Sequence, residues 1–354
     1  MVKRHILVAG MDCNFSGVNF SVFCRNRIKR IIRANKGKSE LSFITIDIAM
    51  GKITKLRVTY PKGKEKLIEN ELYPSKFKPI TKENYDGYKF RNGQKGIISI
   101  LDIYQEIQNI GANNPGTLME FSIFSHAYAG GPVLVNSYDD GEFVLKTPIT
   151  NQLISFFRFD TVFLDEDTRD PDDFDPRSNK DFTAPTMTFK DLKNLQNAYH
   201  PDGFSWIWGC NMHHAIHKLL AKVENHKKYK SSGLKDTDKF RLRNLDEDTT
   251  IDIEMGLNFI LKNPKDFTLE FGEIKSYICQ NMMNTYSQIL ANNTKKPVMG
   301  AVLGTYSVYD KGALNLMSVF PDFKARFKFY ENYFDFEFDK EGRNYGVYVP
   351  NKTC

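Results

Sequence analysis

Short apolar runs alternating with helical patterns predict a three-layer α/β/α sandwich on a mainly parallel sheet. Five runs are rich in β-branched and aromatic residues and of strand length: HILVAG (5–10), LSFITIDI (41–48), LMEFSIF (118–124), GFSWIWG (203–209) and PVMGAVLGTY (297–306). The segments between several of them show helical periodicity, and strand–helix–strand alternation with right-handed crossovers gives a parallel sheet covered on both faces. Across 354 residues, 41% hydrophobic and 26% charged content places the chain among globular proteins rather than disordered ones.

The first run ends at Gly10 and reads as a buried strand. Residues 19–34 follow with Phe20, Phe23, Ile28 and Ile31 at helical spacing and Arg25, Lys29, Arg30 and Arg33 mostly opposite, an amphipathic helix stopped near Gly37. After the second strand, KITKLRVTY extends the sheet as a hairpin partner. Residues 61–95 are rich in Lys and Tyr and broken by Pro61, Pro74 and Pro79, which predicts an irregular surface excursion. Residues 97–110 return to helical periodicity before the strand 118–124.

An insertion at about 139–186 then interrupts the alternation. It carries the apolar patch LISFFRF and an acidic tract with eight acidic and three basic residues in 165–181. Helices are predicted at 189–199, 212–223 and 274–291, and a polar, mobile surface loop at 224–250, the expected first site of proteolysis. The segment 325–349 alternates aromatics with charge and reads as a hairpin or an antiparallel edge. The expected organisation is one α/β domain over 1–320, with the acidic excursion inserted, and a β-hairpin extension over 321–354.

The net charge of +6 is uneven: residues 1–100 hold 21 Lys and Arg against 8 Asp and Glu, and the remainder 28 against 35. The basic charges look scattered over helix faces and loops, without a binding motif, which disfavours nucleic acid. No apolar run reaches membrane-span length. The N-terminal apolar stretch is too short for a signal peptide, so a cytoplasmic location, or export without a Sec signal, is expected. Five cysteines without close pairing argue for free thiols and against a disulfide framework.

The sharpest chemical pair is His126 and Cys210. Each follows a predicted buried strand, and ligands in open parallel sheets bind beyond the carboxyl ends of the strands. An imidazole beside a thiol favours the reactive thiolate. Gly130 and Gly131 lie close by, where backbone N–H groups could stabilise an oxyanion. Taken singly, a half-buried histidine and a packing cysteine are the blander reading.

Three other patterns are weaker. HAYAGG (126–131) looks like a nucleophile elbow, but Tyr128 stands where a serine is needed, and this disfavours a lipase or esterase. In CNMHHAIH (210–217), His213 and His217 share a helical face, yet no HExxH signature completes a zinc site, so no metal is assigned. The acidic tract lacks the glycine and closing glutamate of a calcium loop. Its sharper reading is that Asp181 or Asp175 reaches the cleft and selects a basic group on a substrate.

The stretches FSIFSHAYAGG and FSWIWGCN, together with the strand order, resemble the caspase-like cysteine peptidases, a clan within the broader Rossmann-like architecture. In that family one strand ends in the catalytic histidine and the next in the nucleophilic cysteine. The resemblance implies a thiol protease cleaving an amide bond in a peptide or protein through a His126–Cys210 dyad, without a cofactor. Ala127 departs from the glycine usual in the family. The alternatives are an esterase-like hydrolase and a non-catalytic caspase-like module that binds a protein partner through its C-terminal hairpin.

Overall fold

The computed structural model describes residues 2–14, 16–74, 76–81, 96–137, 142–151, 154–163, 169, 173–231 and 233–353. The strands are β1 Lys3–Ala9, β2 Leu41–Asp47, β3 Lys52–Thr59, β4 Lys66–Leu72, β5 Leu118–Phe124, β6 His126–Tyr128, β7 Gly131–Val133, β8 Glu142–Asn151, β9 Ile154–Phe163, β10 Tyr199–Ile207, β11 Lys239–Arg243, β12 Asp266–Glu270, β13 Val298–Gly300, β14 Ser307–Tyr309, β15 Met317–Val319 and β16 Gly346–Tyr348. The α-helices are α1 Phe20–Asn35, α2 Ile100–Asn113, α3 Phe189–Ala198, α4 His214–Glu224, α5 Lys227–Ser231, α6 Glu247–Leu257, α7 Phe271–Met283, α8 Tyr286–Thr294 and α9 Lys324–Phe334.

An eight-stranded sheet of order β16-β13-β10-β5-β1-β2-β3-β4 forms the middle layer of an α/β/α arrangement, as the alternation predicts. β1 runs parallel to β2 and to β5, and β10 runs parallel to β13. Antiparallel strands finish both edges, β3 and β4 at one and β16 at the other. By its contacts the chain divides into two compact units, Met1–His126 with Pro132–Gly203 and Ala127–Gly131 with Phe204–Cys354. The expected boundary at 320/321 falls inside the second unit.

In the first unit, β1 is the central strand, and Ile6, Leu7 and Val8 are fully buried. Its neighbourhood is not purely apolar. Glu120 on β5 accepts from Arg27 Nε and Nη2 of α1, both at 2.9 Å, and from Ser122 Oγ at 2.6 Å. Both charged side chains are almost wholly shielded from water. His5 on β1 pairs in register with Glu120 and Phe43, and its ring stacks on Phe43 at 5.0 Å. Capping boxes start α2, between Ser99 and Asp102, and α3, between Thr188 and Asp191. These helices approach so closely at Gly111 that a Cβ there would lie 1.7 Å from the Asn194 carbonyl oxygen.

Several expectations change. Within 61–95, residues 66–72 form β4; its side chains are nearly all exposed, so the sequence offers no buried face to signal a strand. Of that excursion, residues 75 and 82–95 lie outside the described residues, as do 164–168 and 170–172 of the acidic tract. The inserted segment 139–186 contains the antiparallel pair β8–β9. The stretch 224–250 is not a plain loop: it holds α5, β11 and the start of α6, and Phe240 and Leu242 of β11 are buried. The single helix expected at 274–291 breaks into α7 and α8, because Thr285 caps the second by accepting from Gln288 N–H.

The predicted C-terminal hairpin is a helix followed by one edge strand. Phe327, Tyr330 and Phe334 fall at helical spacing and are buried, and they make α9. Tyr330 packs on Phe336, and Phe336 on Tyr348 of β16. β16 supplies the antiparallel edge. The aromatics of α9 are spent on packing, and what remains of the expected hairpin is a short antiparallel turn in which Phe338 bridges Gly346. Among the described residues, no helix is long and apolar enough to cross a membrane.

Candidate active site

In the first unit the site begins where β1 and β5 end together, with Ala9 paired to Phe124. Gly10 N–H continues the pairing to Phe124 O at 2.9 Å. A side chain at Gly10 would meet Ser125 Cβ at 2.6 Å, so glycine is what lets the two chains leave the sheet side by side. Just beyond, His126 Nε2 lies 3.1 Å from Asp12 Oδ1. Asp12 is itself held: Ser16 Oγ donates to it at 3.0 Å, Gly17 N–H at 2.8 Å and Val18 N–H at 3.1 Å. Burial pushes the Asp12 carboxyl up, but the bonds from His126, Ser16 and Gly17 outweigh it and hold the group below its ordinary value. An ionised carboxylate only accepts, so the proton of a neutral His126 sits on Nε2 and Nδ1 is the basic nitrogen. Phe20, the first residue of α1, meets the imidazole edge-on at 5.3 Å.

In the second unit Cys210 follows β10. Trp206 near the end of that strand and Trp208 just past it stack at 4.0 Å. Tyr345 packs against both rings and donates its hydroxyl to Trp208 O at 2.8 Å. Past this aromatic support, Ser307 holds the chain at two points. Its Oγ donates to Gly209 O at 2.7 Å, and its N–H to Cys210 Sγ at 3.3 Å. Burial pushes the Cys210 thiol above its ordinary value, against the pull of the Ser307 N–H. Asn211 continues the anchoring, with N–H to Thr305 O and Nδ2 to Ala301 O.

The other predicted positions have different surroundings. A Cβ on Gly130 would strike the Tyr128 ring at 2.6 Å, and one on Gly131 the Tyr286 ring at 3.0 Å; both glycines permit close aromatic packing. Gly131 also has φ +132, a conformation that side chains disfavour. Asp175 and Asp181 are buried and engaged, and the substrate-selecting role expected of them does not fit. Asp175 accepts N–H groups from Leu134 (2.5 Å), Val135 (2.9 Å) and Ser137 (2.6 Å). Asp181 pairs with Arg169 and accepts Arg177 N–H at 3.0 Å. The three helical histidines diverge: His213 turns to Asn281, His214 to Asp246 and His217 to Gly304 O. Among the described residues no group of three or more potential ligands is placed to hold a metal ion.

Sequence reasoning missed Asp12. Its signal was its place directly after the first strand, the same kind of position that singled out His126. Cys13 beside it is not activated: burial, then Asp175, pushes its thiol up to about 11. Cys279 is disulfide-bonded, which corrects the expectation of free thiols throughout; Cys13, Cys24 and Cys210 are free. No family model, curated protein or solved structure matches this chain.

Proposed function

We propose that the chain is a cysteine hydrolase of amide bonds in a peptide or protein, with Cys210 as nucleophile and His126 as base. The reading rests on one observation above the rest, the 3.1 Å bond between Asp12 and His126 at the carboxyl edge of a parallel sheet. A carboxylate on one ring nitrogen fixes the tautomer and orients the imidazole, so that the other nitrogen can accept a proton, which is what a general base needs. In the proposed reaction the Cys210 proton passes to His126 Nδ1 as Sγ bonds to the substrate carbonyl carbon. The tetrahedral intermediate collapses with cleavage of the C–N bond, and His126 returns the proton to the leaving amine. Water, deprotonated by the same imidazole, then hydrolyses the thioester and frees Cys210. No cofactor is needed for this sequence.

The burial that raises the Cys210 thiol favours a second reading, a caspase-like module that binds without turnover. Iodoacetamide labelling followed by peptide mass spectrometry separates the two. As a hydrolase, the wild type labels at Cys210 faster than His126→Ala across pH 6–8, and Asp12→Ala falls between them. Equal rates in wild type and His126→Ala would remove the dyad and leave the binding module. The esterase alternative is disfavoured, because the residue at the elbow position, Tyr128, is a half-exposed phenol.

A further inference from the structure

A cavity of about 510 Å³ lies in the first unit, between the last turns of α1 and the β3–β4 connection. That volume is within the range of about 300–1,000 Å³ typical of small-molecule sites. Lys29, Arg33 and Lys36 line it from α1, with Ile32 between them. The spacings 29/33 and 32/36 are i,i+4, so these residues share one helical face. Lys36 adopts a left-handed conformation as the helix C-cap, which turns the chain there. Tyr60 and Leu67 form the opposite wall. Tyr60 is fixed at two points: Asn35 Nδ2 donates to its hydroxyl at 3.2 Å, and Gly37 packs on its ring.

Some cations of this chain are held by carboxylates. Lys52 pairs with Glu71, Arg57 with Glu40, Lys76 with Asp102 and Arg241 with Asp266. Among the described residues, Lys29, Arg33 and Lys36 have no carboxylate partner. Among the described residues lining the cavity, Glu65 is the only acidic one, so three positive charges face one negative. Cations near a helix C-terminus do offset its dipole, but that effect is confined to the last turn and does not account for Lys29.

We propose that this cavity binds a phosphorylated small molecule carrying a planar apolar group, of the nucleoside diphosphate class. The cations hold the phosphates, Arg33 with the fork geometry suited to two oxygens of one phosphate. Tyr60, Ile32 and Leu67 receive the planar group. This site is independent of Cys210 and His126.

The test is titration of the full chain with ADP, adenosine and inorganic pyrophosphate at low ionic strength, read by calorimetry. ADP binds, adenosine does not, and pyrophosphate binds at least tenfold more weakly than ADP. Lys29→Gln and Arg33→Gln each weaken ADP by about tenfold, the scale of one charge-assisted contact. Tyr60→Ala removes the preference of ADP over pyrophosphate. Arg57→Gln, an exposed arginine outside the cavity, leaves binding unchanged, and circular dichroism of each variant reports its folding. Equal binding of pyrophosphate and ADP would overturn the assignment of a planar group. Equal losses in Arg57→Gln and Arg33→Gln would overturn the site itself, as would no binding of ADP.

Discussion

His5 should make the stability of this protein depend on pH between about 4 and 6.5. It sits inside β1, and neither ring nitrogen has a hydrogen-bond partner. Burial dominates and pushes its pKa down to about 4 from the ordinary 6.5; Glu120 pulls the other way, and Arg27 and Lys3 add to the depression. The folded state therefore holds a neutral imidazole while the unfolded chain binds a proton as soon as the pH drops below 6.5. Stability is fully present above that value and is lost as pH falls toward 4. At about 1.4 kcal/mol for each pH unit, the loss is about 3 kcal/mol, a sizeable share of a typical folding free energy of about 5–15 kcal/mol. His5→Phe keeps a ring to stack on Phe43 and removes the proton site together with two unsatisfied buried atoms. Urea unfolding followed by circular dichroism at pH 7 and pH 4.5, for wild type and variant, measures the difference. The wild type should lose roughly 2–3 kcal/mol more than His5→Phe on acidification. Parallel losses would mean that the imidazole is charged or solvated in the folded state, and the reasoning would fail.

Glu120→Ala removes the carboxylate that pairs with buried Arg27 and should cost about 3–5 kcal/mol, with much of it recovered when Arg27→Met is added; calorimetric melts of the single and double variants decide. Gly111→Ala drives a methyl group into the α3 backbone and should lower stability by about 3 kcal/mol, whereas Gly63→Ala, with open space around it, loses less despite its positive φ. Thiol titration of the denatured chain should find two fewer thiols before reduction than after it, because Cys279 is disulfide-bonded; equal counts would contradict that bond.

The elements that carry His126 and Cys210 were legible because apolar runs of strand length are hard to mistake when helical patterns separate them. β5 falls on the predicted 118–124 residue for residue, and β10 ends close to its predicted place. The segment 325–349 was not legible, for a reason visible in its letters. Phe327 and Phe329 alternate as in a strand, while Phe327, Tyr330 and Phe334 repeat as in a helix, and only tertiary packing chooses between these periods. β4 escaped because its side chains nearly all face solvent. Asp175 was expected to reach a cleft, yet its carboxylate serves backbone N–H groups about 40 residues earlier in the chain. Asp12 and His126 are 114 residues apart, and no local pattern in one sequence links them.

The position of β1 sets the order in which the chain can fold. It precedes every other strand of its sheet in chain order and is one of the most deeply buried. β2 reaches one of its edges quickly, but β5, which closes the other, comes more than a hundred residues later, as the pairing of His5 with Glu120 requires. Until then the backbone of an apolar strand, HILVA, has a row of donors and acceptors open to any passing strand. Long-range parallel pairing of this kind is slow, because loop-closure entropy is lost before the contacts form. Nascent chains stalled before residue 118 should therefore depend on chaperones far more than chains released after 124, and the solubility of such truncations would report when the sheet closes.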